Sequence, residues 1–341
     1  MNVLIIKLGA LGDVLRTTPL LSALKKKDPA ARVTWLVDEA HRGALEGNPL
    51  IDELISFSPA AVGLLKKRSF DWAVNLDKEK EALDAVSAAA AKKKMGFGRL
   101  VNGELGPLDP LSEYAYRLGI DDELKFKKNK KTYQEISFEQ MGWKFEGEDY
   151  VFTLGDENTD YARRVLKERG VGLNGRKGPL IGLNTGSGNR FAGKKLPVST
   201  LVRLAGIFCE RMGATVLLLG GKDETERNRE IAGLCRGSVV NAGSHAIRDF
   251  AAIVKRCDLA VSGDTTAMHI AIAVKVPVVA YFASTCAPEI ELYGRGKKVV
   301  SGISCAPCYK KICPIDEQCM KDMTAEELFS AAKEVLAHAG V

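Results

Sequence analysis

Short apolar runs that stop at glycine, small or acidic residues recur along the whole chain, and this recurrence limits the fold more than any other feature. In the first half they fall at residues 3–6, 33–37, 54–57 and 72–76, and in the second at 180–183, 215–219, 239–241, 259–261 and 278–282. Runs this short, bounded by turn residues and separated by helical stretches such as 82–91, read as buried parallel strands covered by helices. Pro19 belongs at the first turn of a helix reaching Lys27, with Thr17 or Thr18 as its cap. Residues 121–150 are more polar and give no clear assignment. A helix over 156–169 leads into Gly170, Gly172, Gly175 and Gly178, a charged stretch with little to bury.

At 341 residues the chain exceeds one ordinary core. The pattern restarts after Gly178, so we expect two α/β domains, 1–170 and 179–323, joined by a linker over 171–178. A final segment, 324–341, opens on the capping box Thr324-Ala325-Glu326-Glu327 and carries Leu328, Ala332, Val335 and Leu336 on one helical face. A cleft between two such domains is the expected active site. Hydrophobic residues make up 46% and charged residues 27%, as in soluble globular proteins, and no apolar run approaches the ~20 residues of a membrane helix. Lys7 interrupts the opening run, and no small-residue cleavage site follows, so a cytoplasmic location is expected.

The net charge of +6 lies in the second half: up to Gly170 there are 27 basic and 27 acidic residues, and beyond it 22 and 16. That excess suits a diphosphate. Local basic clusters at 66–68, 92–94 and 125–131 read first as solvated faces. No zinc-finger, RNA-recognition or helix-turn-helix signature accompanies them, which argues against a nucleic-acid partner.

Four segments carry chemistry. The first run ends in Lys7, Gly9, Gly12 and Asp13, a tight elbow entering a helix, where Asp13 is either a cap or a chemical base. A dinucleotide site would need glycine where Lys7 stands, although Asp38 partly imitates the ribose acid. The run at 180–183 ends in Asn184, Thr185, Gly186, Ser187 and Gly188, followed by Lys194, Lys195, Leu196 and Pro197. Backbone donors, hydroxyls and lysines there suit phosphates, and a plain surface loop is the competing reading. After 215–219 come Gly220, Gly221, Lys222, Asp223 and Glu224, with an acid placed to accept ribose hydroxyls. After 259–261 come Asp264, Thr265, Thr266, Met268 and His269, where a helix start offers free N–H groups to a phosphate or simply has an ordinary cap. Met268 reads as core and His269, taken alone, as a structural histidine.

Taken in order, Lys7-x-x-x-x-Gly12-Asp13 with Thr17, Thr18 and Pro19, then Lys194-x-x-Pro197, then Asp264-Thr265-x-x-x-His269 resemble the ADP-heptose:lipopolysaccharide heptosyltransferases of glycosyltransferase family nine. The resemblance spans nearly the whole chain. It implies a GT-B fold: two Rossmann-like parallel-sheet domains facing across a cleft, the first for a lipid A-core lipopolysaccharide acceptor, the second for ADP-L-glycero-D-manno-heptose, with the last helix crossing back to the first. It also implies inverting transfer to the inner core, at the cytoplasmic face of the inner membrane with peripheral membrane contact. Asp13 matches the family's proposed base and Lys194 the lysine at the donor phosphates. Thr185 and Ser187 fall in the donor loop, Glu224 beside the ribose, and Asp264, Thr265, Thr266 and His269 in the donor motif. Lys7, Gly12 and Arg16 are expected on the acceptor side. The chain departs from the family pattern at Leu196, where tryptophan is usual, and at Thr266, where glycine is usual.

The residues suit such chemistry in their own right. A base takes the acceptor proton, cations and helix N-termini stabilise the leaving diphosphate, and no cofactor is required for catalysis. A different nucleotide sugar, a protein acceptor, or a non-catalytic nucleotide- or metal-binding module are the alternatives. Finally, Cys305, Cys308, Cys313 and Cys319 have C-x2-C-x4-C-x5-C spacing, which in a reduced compartment suggests a structural zinc or iron, with free thiols or an oxidised pair as the other reading.

Overall fold

The computed structural model describes residues 1–172, 175–188 and 193–340, and divides the chain into two units. The first comprises residues 1–153 together with 288–291, and the second residues 154–287 and 292–341.

In the first unit β1 (Asn2–Ile6), β2 (Arg32–Val37), β3 (Glu53–Ser56), β4 (Ser69–Asn75), β5 (Ala90–Arg99) and β6 (Leu105–Pro107) form one sheet in the order β3-β2-β1-β4-β5-β6. The first five strands run parallel, and β6 closes the edge antiparallel to β5. Strand β1 is apolar throughout because both its faces are covered: Leu4 and Ile6 pack with Leu36, Ala73 and Val86, while Trp35 is fully buried and donates its indole N–H to the Lys7 carbonyl at 3.3 Å. The helices are α1 (Leu11–Thr17), α2 (Pro19–Lys27), α3 (Pro59–Leu65), α4 (Lys80–Ala88), α5 (Glu113–Arg117) and α6 (Tyr133–Gln140). Pro19 takes the first position of α2 as expected, but Thr18 does not cap it. Its residue is already helical, and its hydroxyl donates to the Leu15 carbonyl at 2.7 Å instead.

The second unit repeats this plan. It contains α7 (Asp156–Glu168), β7 (Leu180–Asn184), α8 (Val198–Met212), β8 (Thr215–Leu219), α9 (Thr225–Leu234), β9 (Val239–Asn241), α10 (Ile247–Val254), β10 (Leu259–Gly263), α11 (Thr266–Ala273), β11 (Val278–Phe282), β12 (Gly296–Val300), α12 (Gln318–Lys321) and α13 (Ala325–Ala339). Its strands are all parallel, in the order β9-β8-β7-β10-β11-β12. Renumbered within each unit, both sheets have the strand order 3-2-1-4-5-6 of a dinucleotide-binding fold. The expected pair of Rossmann-like parallel sheets is therefore present.

Three expectations about organisation are corrected. The units divide after Thr153 rather than at 171–178, of which Leu173 and Asn174 lie outside the described residues. Helix α7 consequently belongs to the second unit, where Asn158 donates to Asp249 at 2.8 Å and Ala162 and Leu166 are buried. Helix α13 belongs to the second unit: Leu328, Ala332 and Leu336 are buried in its core, in one cluster with Leu201, Leu204 and Phe208 of α8. The segment that belongs to the first unit is 288–291. Helix 82–91 also ends early, at Ala88, because 90–99 forms β5.

Candidate functional site

In a sheet of this order the sequence in which strands are added reverses between its first and fourth strands, and the loops leaving their carboxyl ends part to make a crevice. In the first unit those strands are β1 and β4. The loop after β1 is pinned from the loop after β4: the Asp77 carboxylate accepts the Leu8 N–H at 3.1 Å and the Gly9 N–H at 3.2 Å, and lies 3.4 Å from the Lys7 ammonium. Lys7 and Asp77 are both buried. Burial opposes the Lys7 charge, but Tyr133, Asp13 and Asp77 outweigh it and raise its proton affinity. Gly9 is required here by space, since a Cβ would sit 2.7 Å from the His41 ring. Lys7 therefore braces the elbow from inside, and Gly12 is buried in the first turn of α1.

The elbow delivers Asp13 to the first turn of α1. Ala10 occupies the cap position without a side-chain bond, so the cap reading of Asp13 is set aside. Arg16, one turn later, pairs with the Asp13 carboxylate at 2.8 Å, stacks over the Tyr133 ring at 3.9 Å from its centroid, and lies 3.9 Å from Glu289. Burial opposes its charge, but Asp13 first, then Tyr133 and Glu289, hold the guanidinium protonated.

Lys78, beside Asp77, donates to the Ala115 carbonyl at 3.1 Å and lies 4.7 Å over the Phe97 ring, with no carboxylate paired to it among the described residues. Burial, with Lys125 and Lys7 adding repulsion, lowers its pKa to about 8. Between that value and the ordinary 10.5 the unfolded chain binds more protons than the folded one, so this group makes stability rise with pH across the window. Below it the cost is present in full. Denaturation midpoints from pH 7 to 10.5 check this: Lys78→Met should flatten the rise, and an unchanged slope would remove Lys78 as its source.

The second unit's crevice lies between β7 and β10. Thr185 follows β7 but is fully buried, its hydroxyl bonded to Asn228 and to the Leu219 carbonyl at 3.3 Å, so it holds the loop and offers no hydroxyl outward. Asn184 bridges the two loops, donating to the Gly186 carbonyl at 2.7 Å and to Thr265 Oγ1 at 3.3 Å. Arg227 on α9 donates to the Thr185 carbonyl at 3.0 Å and to the Leu196 carbonyl. Ser187, by contrast, is only partly buried.

After β10, Lys194 donates to the Asp264 carbonyl at 2.8 Å and lies 3.3 Å from its carboxylate, while the buried His269 ring is 3.8 Å from the other carboxylate oxygen. Lys194, Asp264, Thr265 and His269 therefore meet at the start of α11, and the exposed Thr266 is its first residue. Glu224 reaches the same region from the loop after β8. One carboxylate oxygen accepts the Gly221 N–H at 2.9 Å; the other is buried, has no hydrogen-bond partner among the described residues, and presses on Gly186, where a Cβ would fall 2.0 Å away. A buried acceptor of this kind is costly unless something donates to it. Together these groups supply what a nucleoside diphosphate asks for: cation, helix start and hydroxyl acceptor.

The cysteine expectation finds no support in the geometry. Among the described residues no group of three or more His, Cys, Asp or Glu side chains is placed to hold a metal ion. Cys305 is exposed, Cys308 and Cys313 are half-buried, and Cys319 is turned into the core beside Met320 and Met323. Burial, with Cys313, Cys305 and Cys308 nearby, raises the Cys319 thiol above its ordinary range.

Sequence reasoning did not find Asp77, Tyr133, Arg227, Asn228 or Glu289. Asp77 alone carried a signal, as an acid just past the run at 72–76. Among the described residues no helix is long and apolar enough to cross a membrane.

Residues 62–318 match the model of Glycosyltransferase family 9 (heptosyltransferase). The chain is 26% identical over 325 residues to lipopolysaccharide heptosyltransferase 1 of Pseudomonas aeruginosa, covering 92% of this chain and 87% of that one. Among solved structures it is similar to a family 9 glycosyl transferase from Veillonella parvula, with a TM-score of 0.79 at 21% identity over 99% of this chain and 97% of that one. It is similar also to the E. coli ADP-heptose lps heptosyltransferase II, with a TM-score of 0.72 at 17% identity over the whole of both chains. The fold is thus that of these GT-B neighbours, and the chain is a glycosyltransferase belonging to family 9, the heptosyltransferases.

Proposed function

We propose that the protein transfers heptose from ADP-heptose to the inner core of a lipopolysaccharide acceptor with inversion at the anomeric carbon. The observation that carries this reading is the second unit's crevice, where Glu224, one of whose oxygens has no partner among the described residues, Lys194 and the start of α11 combine at the carboxyl ends of neighbouring strands. Glu224 suits a ribose hydroxyl, and Lys194 with the α11 N–H groups suits the diphosphate. The family's named relatives act on lipopolysaccharide, which supports the acceptor class.

In the reaction the acceptor hydroxyl gives its proton to Asp13, and its oxygen forms a bond to the anomeric carbon. The bond from that carbon to the diphosphate oxygen breaks, and the electron pair leaves on ADP. Lys194 and the helix start offset the growing negative charge. A single displacement of this kind inverts the centre. The acceptor is lipid-borne, so the enzyme would meet it at the cytoplasmic face of the inner membrane.

Incubation with ADP-heptose and lipopolysaccharide from a heptose-deficient strain should give an inverted heptoside; ADP release without product, or none at all, would count against it. Thr266 favours a second reading, a different nucleotide sugar, because its side chain stands at the first residue of α11. Running other nucleotide sugars in parallel separates the two. Within the donor site, Lys194→Ala and Glu224→Ala should each weaken ADP binding by roughly ten- to hundred-fold, the worth of a hydrogen bond to a charged group. Calorimetry showing both variants unchanged would move the nucleotide elsewhere.

A further inference from the structure

Arg16 is held more tightly than an acceptor ligand on the surface would be. An exposed ion pair between residues three apart on a helix is worth only a few tenths of a kcal/mol. Here the Arg16 guanidinium is nearly enclosed: Asp13 takes one nitrogen at 2.8 Å, the Tyr133 ring lies beneath at 3.9 Å, Glu289 stands 3.9 Å away, and Nε is buried with no hydrogen-bond partner among the described residues. Tyr133 reaches Asp13 by a second route. The Thr17 hydroxyl donates to the Asp13 carbonyl at 2.7 Å, which uses its one proton, so the Tyr133 hydroxyl must donate to Thr17 across 2.8 Å. Tyr133 is itself fixed, as the first residue of α6 behind a complete capping box. There the Thr132 N–H donates to Glu135 at 2.6 Å, and the Glu135 N–H to Thr132 Oγ1 at 3.2 Å.

We propose that Arg16, shelved on Tyr133, is a positioning residue that fixes the Asp13 carboxylate in one orientation for the proton transfer. This rests on Asp13 being the proton acceptor, as proposed above. Tyr133 holds the helix carbonyl of Asp13 through Thr17 and the side chain of Asp13 through Arg16, so both ends of the base are tied to one ring. The charged and titratable groups around the pair are Lys7 just after β1, Asp77 after β4, Tyr133 on α6, Tyr150 and Glu289. When Asp13 takes the proton its charge is lost, and Glu289 remains as the counter-charge that lets Arg16 stay in place.

The arrangement sets a sign. Arg16 favours ionised Asp13, so removing its charge makes the carboxylate harder to ionise and moves the acid limb of the kcat profile to higher pH. We would measure kcat, acceptor KM and the pH profile with ADP-heptose and heptose-deficient lipopolysaccharide. Arg16→Met should lower kcat by about tenfold or more with acceptor KM little changed, and raise the acid limb by about one pH unit. Arg16→Lys should bring the limb back part of the way. Tyr133→Phe keeps the shelf and should leave the limb in place, whereas Tyr133→Leu should displace it in the direction of Arg16→Met. An Arg16→Met enzyme with a raised acceptor KM and an unmoved limb would make Arg16 an acceptor ligand and overturn the inference. Asp13→Asn run alongside keeps the two readings apart: full activity there removes the base, while a dead Asp13→Asn with an unperturbed Arg16→Met removes only the positioning role.

Discussion

Replacing Asp13 by Asn lowers kcat by about 10²- to 10⁴-fold, the usual worth of a positioned general base, and leaves ADP affinity unchanged. The amide keeps the size and can still accept from Arg16 at the first turn of α1, so the elbow should retain its shape. What it loses is basicity. Donor binding is untouched because every group assigned to the nucleotide, Lys194, Glu224 and the start of α11, belongs to the second unit. Single-turnover kinetics with saturating ADP-heptose, beside calorimetry with ADP, give both quantities. Near-normal turnover would mean that another group takes the acceptor proton.

Much of this architecture was legible because parallel strands covered on both faces must be apolar along their length. The runs at 3–6, 33–37, 215–219 and 278–282 are such strands, and each ends where a functional loop begins or the sheet turns. Strand β5 escaped for the opposite reason. Its sequence AAKKKMGFGR has exposed lysines at 92 and 93, and only residues 95–98 are buried, so local composition favours helix until β4 pairs with it. Strand β12, with Lys297 and Lys298, is an edge strand and hides in the same way. The final helix was legible as a helix but not in its docking, since an apolar face does not name the surface that receives it.

The site divides along similar lines. Residues on the elbows themselves, Asp13, Lys194, Glu224 and Asp264, stand out because strand ends followed by small residues are where ligands bind. Residues that hold those elbows do not stand out, because their partners are distant in sequence. Arg227 grips the carbonyls of Thr185 and Leu196, and Tyr133 lies under Arg16, more than a hundred positions away. Thr185 shows the converse: its place in the loop suggested a ligand hydroxyl, and burial against Asn228 makes it a brace. The cysteine spacing could not show which way each thiol faces: Cys305 is exposed, while Cys319 on α12 is buried in the core.

The largest stability effect belongs to Asp77. Its carboxylate is the partner of the buried Lys7 ammonium and the acceptor for the Leu8 and Gly9 N–H groups, all at the end of β1. Asp77→Ala leaves a buried cation unpaired and two backbone donors without this acceptor. Breaking a buried ion pair by removing one partner costs about 3–5 kcal/mol, which for a unit of this size corresponds to a fall of about 6–20 °C in its unfolding temperature. Asp77→Asn should lie between the two, because the amide oxygen still accepts from the backbone while the charge is lost. Adding Lys7→Met to Asp77→Ala should recover part of the loss, since the unpaired charge then disappears, and the recovery measures how much of the cost was electrostatic. The same change reaches catalysis: the elbow that carries Asp13 begins at the N–H groups Asp77 holds, so kcat should fall in Asp77→Ala even at temperatures where the first unit remains folded. Thermal and urea unfolding of the four proteins, wild type included, test this. A loss below about 1 kcal/mol in Asp77→Ala would show that the Lys7 charge finds another partner when Asp77 is gone, and that the loop after β1 does not depend on the loop after β4.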